Sequence, residues 1–211
     1  MNILPGLSSF TRVLLLLAVV AWGARAPAAS AQQPAAPPAL LKGPANWRFE
    51  RLTIPPGFAP DIKWTGVEEA RFAPGMFDPK ATNYFTYVLA VSVDVAAPIK
   101  AADLKEFLDK YYRGLSTAVG RGKGLTPEAT HFDAEVAVSK TEPAAAGRFT
   151  AKVPFIDTFT DGRKITLHLE IAVLPNQETK KTLLVMLTSP QAKDAPIWKE
   201  LRAMGRSVEK P

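Results

Sequence analysis

Hydrophobic residues along this chain repeat with two different periods, and the change of period divides it into elements. Residues 47–54 set Trp47 and Phe49, then after a switch of phase Leu52 and Ile54, among charged neighbours, which predicts a half-buried strand. A short strand is expected again near 67–72. Across 84–95 the alternation is stronger, with Phe85, Tyr87, Leu89, Val91, Val93 and Val95 on one face. Helical spacing takes over at 101–119, where Leu104, Phe107, Leu108, Tyr111, Leu115 and Val119 form a stripe opposite Lys105, Glu106, Asp109, Lys110 and Arg113. Gly120, Gly122 and Gly124 should end that helix, with Arg121 and Lys123 beside its negative end.

From Phe132 onward the pattern returns to strands, at 132–139, 147–155, 163–174 and 181–189. The turn signals between them, Glu142-Pro143, Asp161-Gly162 and Pro175-Asn176, leave connections too short for parallel crossovers, so a four-stranded antiparallel meander is predicted. Leu183, Leu184, Val185, Met186 and Leu187 run without a polar break, which places the last strand centrally, buried on both faces. A helix over about 195–207 closes the chain, with Asp194 as its cap, Pro196 in its first turn, and Ile197, Leu201, Met204 and Val208 facing inward. The fold class is α+β: an antiparallel sheet with a C-terminal meander, one long amphipathic helix in the middle and a C-terminal helix packed on the sheet.

Parity constrains one hairpin. Phe149, Ala151 and Val153 look inward, as do Ile165, Leu167, Leu169 and Ile171, all odd-numbered. A two-residue Asp161-Gly162 turn would pair odd with even positions. Either a bulge around Pro154 and Phe155 or a longer loop at the turn is therefore expected.

The apolar run at 13–24, preceded by Arg12 and followed by Ala29-Ser30-Ala31, reads as an export signal covering 1–31. It is shorter than the ~18 apolar residues of a membrane span, so no transmembrane segment is expected after cleavage. A Pro/Ala-rich spacer follows at 32–45, and a single α+β domain occupies 46–211. The expected location is periplasmic or secreted. There is no cysteine, so an exported domain of this size must be held by its core alone, without disulfides. Removing Arg12 and Arg25 from a formal net charge of +6 leaves +4, a mildly basic surface without the concentrated stripe that nucleic acid requires.

The richest chemistry lies on two predicted strands. His131, Asp133 and Glu135 share one face, and His168 with Glu170 repeats the theme; imidazole and carboxylate are ligands for a divalent metal. In a sequential meander those strands lie two spacings apart, roughly 9.6 Å, and the strand between them presents Arg148 and Lys152 to the acids. A salt-bridged surface is the expected outcome, and no metal or other cofactor is called for. A Gly-x-Ser-x-Gly elbow, His-Glu-x-x-His and a phosphate loop are all absent. Phe-Ala-Pro occurs twice, at 58–60 and 72–74, each beside a Pro-Gly pair. The prolines stiffen two loops, Gly57 and Gly75 are expected to take unusual dihedrals, and Phe58, Phe72 and Phe77 anchor the loops to the core or wall a groove. Trp47 and Tyr111 are assigned to the core, whereas Phe58, Trp64, Phe77 and Tyr112 are the candidate ligand contacts.

The order of elements resembles the PsbP-like sandwich, the fold of an extrinsic photosystem II subunit and related bacterial proteins. The resemblance is carried by the helix from Leu104 to Leu115, the meander from Phe132 to Thr188 and the closing helix ending in Gly205-Arg206-Ser207-Val208-Glu209. The spacer behind the signal is also similar to that of other exported bacterial proteins. Both likenesses imply a non-enzymatic binding or accessory role, with a protein or envelope component as partner. The alternatives are a metal-assisted hydrolase built on His131, Asp133, Glu135, His168 and Glu170, and a structural partner in an envelope complex.

Overall fold

The structure, a computed structural model, describes residues 39–96, 98–127, 132–140 and 147–209; the expected export signal, half of the expected spacer and His131 lie outside them. Seven strands form one antiparallel sheet: β1 (Arg48–Ile54), β2 (Gly66–Phe72), β3 (Tyr87–Val93), β4 (Glu135–Val138), β5 (Arg148–Asp157), β6 (Arg163–Asn176) and β7 (Lys181–Ser189). Helix α1 (Ala101–Arg121) follows β3 and α2 (Ile197–Glu209) follows β7. The order across the sheet is β1-β2-β3-β7-β6-β5-β4. The meander is therefore present, and β7 is the middle strand, as its unbroken apolar run requires. No helix among the described residues is long and apolar enough to cross a membrane.

Alternation along the strands splits the core in two. On one face Tyr87, Leu89, Val91 and Val93 of β3, Leu184 and Met186 of β7, Leu167, Leu169 and Ile171 of β6, and Val153 and Phe155 of β5 pack against α1. On the other, Val88, Ala90, Ala172, Val185 and Leu187 meet α2. The anchor of α2 is Trp198 rather than Ile197: its ring is fully buried, Leu201 and Met204 extend its stripe, and Nε1 donates to the Gln191 carbonyl at 3.0 Å. Ile197 and Val208 flank that stripe, half-buried. This layer also recruits Leu41, read above as spacer. Its side chain is fully buried and its N–H donates to Glu69 Oε2 at 2.9 Å, so the folded unit begins before residue 46.

The β5–β6 register pairs Phe149 with Ile171, Val153 with Leu167 and Phe155 with Ile165, and continues regularly through Pro154 opposite Thr166. There is no bulge. Parity is kept by the second option, a five-residue connection at 158–162 in place of a two-residue turn. Pro154 is tolerated because the β4 pairing ends at Glu135↔Lys152, which leaves β5 a single neighbour at that point.

Two glycines owe their place to close approach. A Cβ on Gly114 would sit 2.2 Å from the Phe58 carbonyl oxygen, so α1 rests directly on the first Phe-Ala-Pro loop. A Cβ on Gly75 would sit 2.1 Å from Asn83 Oδ1 in the second. Neither Gly57 nor Gly75 has a positive φ; among the residues of the second loop it is Phe85 that does, at 45°.

Candidate functional site

The two loops that leave the sheet around β2 close over a cavity of about 170 Å³ between α1 and the β1–β3 end of the sheet. Its floor is strand sequence. Even-numbered residues of β1 and β2 turn toward α1, because Arg48 pairs with Phe72, Glu50 with Ala70 and Leu52 with Glu68. Its roof is α1, through Tyr111, Leu115 and Val119. Its walls are loop aromatics: Phe58 meets the Tyr111 ring edge-on at 5.1 Å, and Phe77 stacks on Phe159 at 5.6 Å.

Phe159 is fixed by its own turn. Asp157, fully buried, accepts the Phe159 N–H at 2.9 Å and the Tyr84 hydroxyl at 2.5 Å and also binds the Thr160 hydroxyl, while Lys123 Nζ donates to the Phe159 carbonyl. Phe85, whose ring lies within about 6 Å of Tyr84, Tyr87, Phe155 and Phe159, holds a left-handed backbone. A bulky residue at positive φ costs roughly 1–3 kcal/mol and persists only where its surroundings over-determine it. Here the ring cluster supplies that constraint, at the wall of the cavity.

The one deeply buried charge-bearing group of the lining is Glu68, 2% exposed. Tyr111 donates its hydroxyl to Oε1 at 2.8 Å, while Oε2 accepts no hydrogen bond. Burial pushes this carboxyl up to about 7; the Tyr111 hydrogen bond opposes the rise and the nearby Glu50 adds to it. Glu50 itself is ion-paired with Arg48, whose guanidinium lies 5.4 Å from the Phe72 ring centre and 5.6 Å from that of Phe77, so Glu50 is not free to act as a partner base. Among the described residues the lining contains no serine, cysteine, histidine or lysine. What it offers chemically is an apolar, aromatic enclosure with one buried carboxyl oxygen in its lining that accepts no hydrogen bond.

The four aromatic candidates fall in three different places. Phe58 and Phe77 wall the cavity, with Phe77 43% exposed at its edge. Trp64 is half-buried and stacks on Phe107 at 5.0 Å, in a separate, shallower depression with Lys63, Glu106 and Lys110. Tyr112 is not an exposed contact: it is fully buried and its hydroxyl shares a 2.6 Å hydrogen bond with that of Tyr87. The stripe of α1 is wider than one row because the sheet and the first loop cover adjoining sides of the helix, so Tyr111 and Tyr112 are both enclosed.

The described members of the His/Asp/Glu set are dispersed. Asp133 is exposed and ion-paired at 2.5 Å with Lys105 of α1. Glu135 lies opposite Lys152, which in turn lies opposite His168, so a lysine stands between the acid and the imidazole. Partial burial, then Lys193 and Lys152, lower the His168 pKa. Glu170 is held by Arg202 of α2 through two hydrogen bonds of 2.7 and 3.0 Å. Among the described residues no three His, Cys, Asp or Glu side chains could hold one ion.

Sequence reasoning missed Glu68. The signal was the adjacent pair Glu68-Glu69 inside a strand: where both faces of a strand are covered, alternation must bury one acid on each side. The class defined by this geometry is an α+β domain with an aromatic pocket under two ordered loops. No family model, no curated protein and no solved structure matches the chain.

Proposed function

We propose that the domain is a non-enzymatic binding or accessory module whose cavity beneath the 55–86 loops takes a small apolar ligand. The observation that carries this reading is the coincidence of unfilled space with an unmet polar atom. Native interiors close their voids and satisfy their buried oxygens, and sites that do neither are where ligands bind. The strained Phe85 at the wall and the aromatic loops on a rigid sheet support the same reading. The lysines and arginine set among Glu135, His168 and Glu170 weigh against a metal-assisted hydrolase, and the element order similar to a PsbP-like sandwich favours an accessory role.

Toluene, titrated into the isotopically labelled protein and followed by amide and aromatic NMR, is the direct test. A single saturable site should shift Phe58, Phe85, Tyr111 and Phe159, and Val119→Trp, which fills the space, should abolish it. Shifts scattered over the surface, or none, would remove the binding reading.

A further inference from the structure

The two glutamates in the middle of β2 form an internal control. Glu69 is fully buried on the α2 face: its Oε2 accepts the Leu41 N–H, and its Oε1, which accepts no hydrogen bond, faces a cation, Arg51 Nη1, at 3.2 Å. Glu68 is as deeply buried on the other face and receives only the Tyr111 hydroxyl on Oε1. What Glu68 lacks, by that comparison, is a cation on Oε2.

We infer that the ligand of the cavity carries a protonated amine, seated against Glu68 Oε2 with its apolar body among the aromatic rings. This deepens the binding reading above and rests on it. Three observations favour a cation over a neutral acceptor or an anion. The phenol of Tyr111 donates to the carboxyl, leaving the free oxygen as an acceptor for a second donor. The surrounding ring faces carry negative quadrupole potential and attract cations; Arg48, over Phe72 and Phe77, already uses two of them at the β1 side, where Glu50 holds it. An anion would meet Glu50 and Glu68 together. The volume resembles that of engineered apolar cavities that admit benzene, so one ring or a short alkyl chain bearing the amine is the expected size.

Protonation sharpens the inference. The groups that face Glu68 are Arg48 and Glu50 on β1, Tyr87 on β3 and Tyr111 and Tyr112 on α1; the loop residues of the lining bring no charge. Burial holds the three tyrosine hydroxyls protonated far above neutrality, and Glu50 remains with Arg48, so Glu68 is the group that changes state near pH 7. An amine needs the carboxylate, and its affinity must rise with pH through the Glu68 transition. A neutral acceptor needs the acid, and its affinity must fall.

The test is calorimetric titration of the purified protein with 2-phenylethylamine, 2-phenylethanol and 3-phenylpropanoate at about pH 5.5 and 8. The amine should bind at least about tenfold more tightly than the alcohol at the higher pH, lose most of that advantage at the lower, and lose all of it in Glu68→Gln. Alcohol binding equal to or tighter than amine binding, weakening as pH rises, would overturn the amine while leaving the cavity a binding site. Preference for the carboxylate would overturn it through Arg48. Failure of all three probes, together with toluene, would overturn the binding reading itself. If Glu68→Gln does not fold, the opposite pH trends of amine and alcohol on the natural protein decide the question alone.

Discussion

The two faces of the sheet bury unequal apolar clusters, the larger under α1, and end differently at β2. On the α2 side Trp198, Leu41, Leu201 and Met204 fill the space, and the protein sets its own cations against the acids: Arg51 faces Glu69, whose Oε2 also accepts the Leu41 N–H while Oε1 accepts no hydrogen bond, and Arg202 holds the half-buried Glu170. On the α1 side the helix seals the meander half of the sheet, but over β1 and β2 the cover is two proline-stiffened loops, and a void and a half-met carboxyl remain. The difference teaches where stability and function separate in this molecule. One face is closed by its own side chains; on the other, the proposed ligand would complete the cover.

The comparison breaks most visibly if its packed side is opened. Trp198→Ala removes the largest fully buried side chain of the domain and should cost about 3–5 kcal/mol, with a melting temperature lower by roughly 6–20 °C for a domain of this size. Phe58→Ala, at a half-buried ring beside a void, should cost clearly less by thermal denaturation. Equal losses would mean that the cavity face is as tightly packed as the other.

The glutamates sharpen it next. Glu69→Gln removes the buried anion that faces Arg51 at 3.2 Å and should destabilise the fold by about 1–3 kcal/mol in chemical denaturation near neutral pH. Glu68→Gln should do the reverse, and its effect must depend on pH with a definite sign. In the folded protein the Glu68 carboxyl holds its proton up to about 7, whereas in the unfolded chain it releases it near 4.5. Between those values the folded state binds more protons, so the Glu68 contribution falls as pH rises from about 4.5 to about 7 and is constant above. The full change is worth roughly 3 kcal/mol. Natural protein and Glu68→Gln should be of similar stability near pH 4.5, and the variant should be the more stable at pH 8. A stability difference independent of pH would show that Glu68 titrates like an exposed glutamate.

How much of this could be read from the chain follows from the range of each cause. Period-two alternation at 84–95 and the unbroken run 183–187 are local, and they locate β3 and β7 and the central place of β7. The meander follows from connection length, which is also local, whereas parity asked for a bulge at Pro154 or a longer turn and only the β5–β6 register decides for the turn. The cavity is not. It requires β1 to pair with β2 so that Arg48, Glu50, Leu52 and Glu68 share a face, and it requires two loops to arrive over that face from opposite directions. Tyr112 was misjudged for the same reason: a helical wheel gives the side of a helix but not how many neighbours cover it. Leu41 stood in a Pro/Ala-rich stretch without periodicity, and only its contact with Glu69 and the α2 core reveals it as part of the fold.

The smallest effect is expected where the sequence looked most chemical. Asp133→Asn removes an exposed carboxylate whose ion pair with Lys105 is screened by water, and Lys105 keeps Asp109 at 2.7 Å, so the melting temperature should not move measurably. His168→Asn should be similarly silent, since partial burial, and then Lys193 and Lys152, already disfavour the imidazolium at that place. Added Zn2+ or Mn2+ should not change either result, because a divalent ion near His168 would have to displace two lysines before it met Glu135 or Glu170, and Glu170 would first have to leave Arg202. A stoichiometric metal-dependent gain in melting temperature, abolished by His168→Asn, would reverse the contrast: chemistry would then belong to the side of the sheet that here serves as a closed and charged exterior.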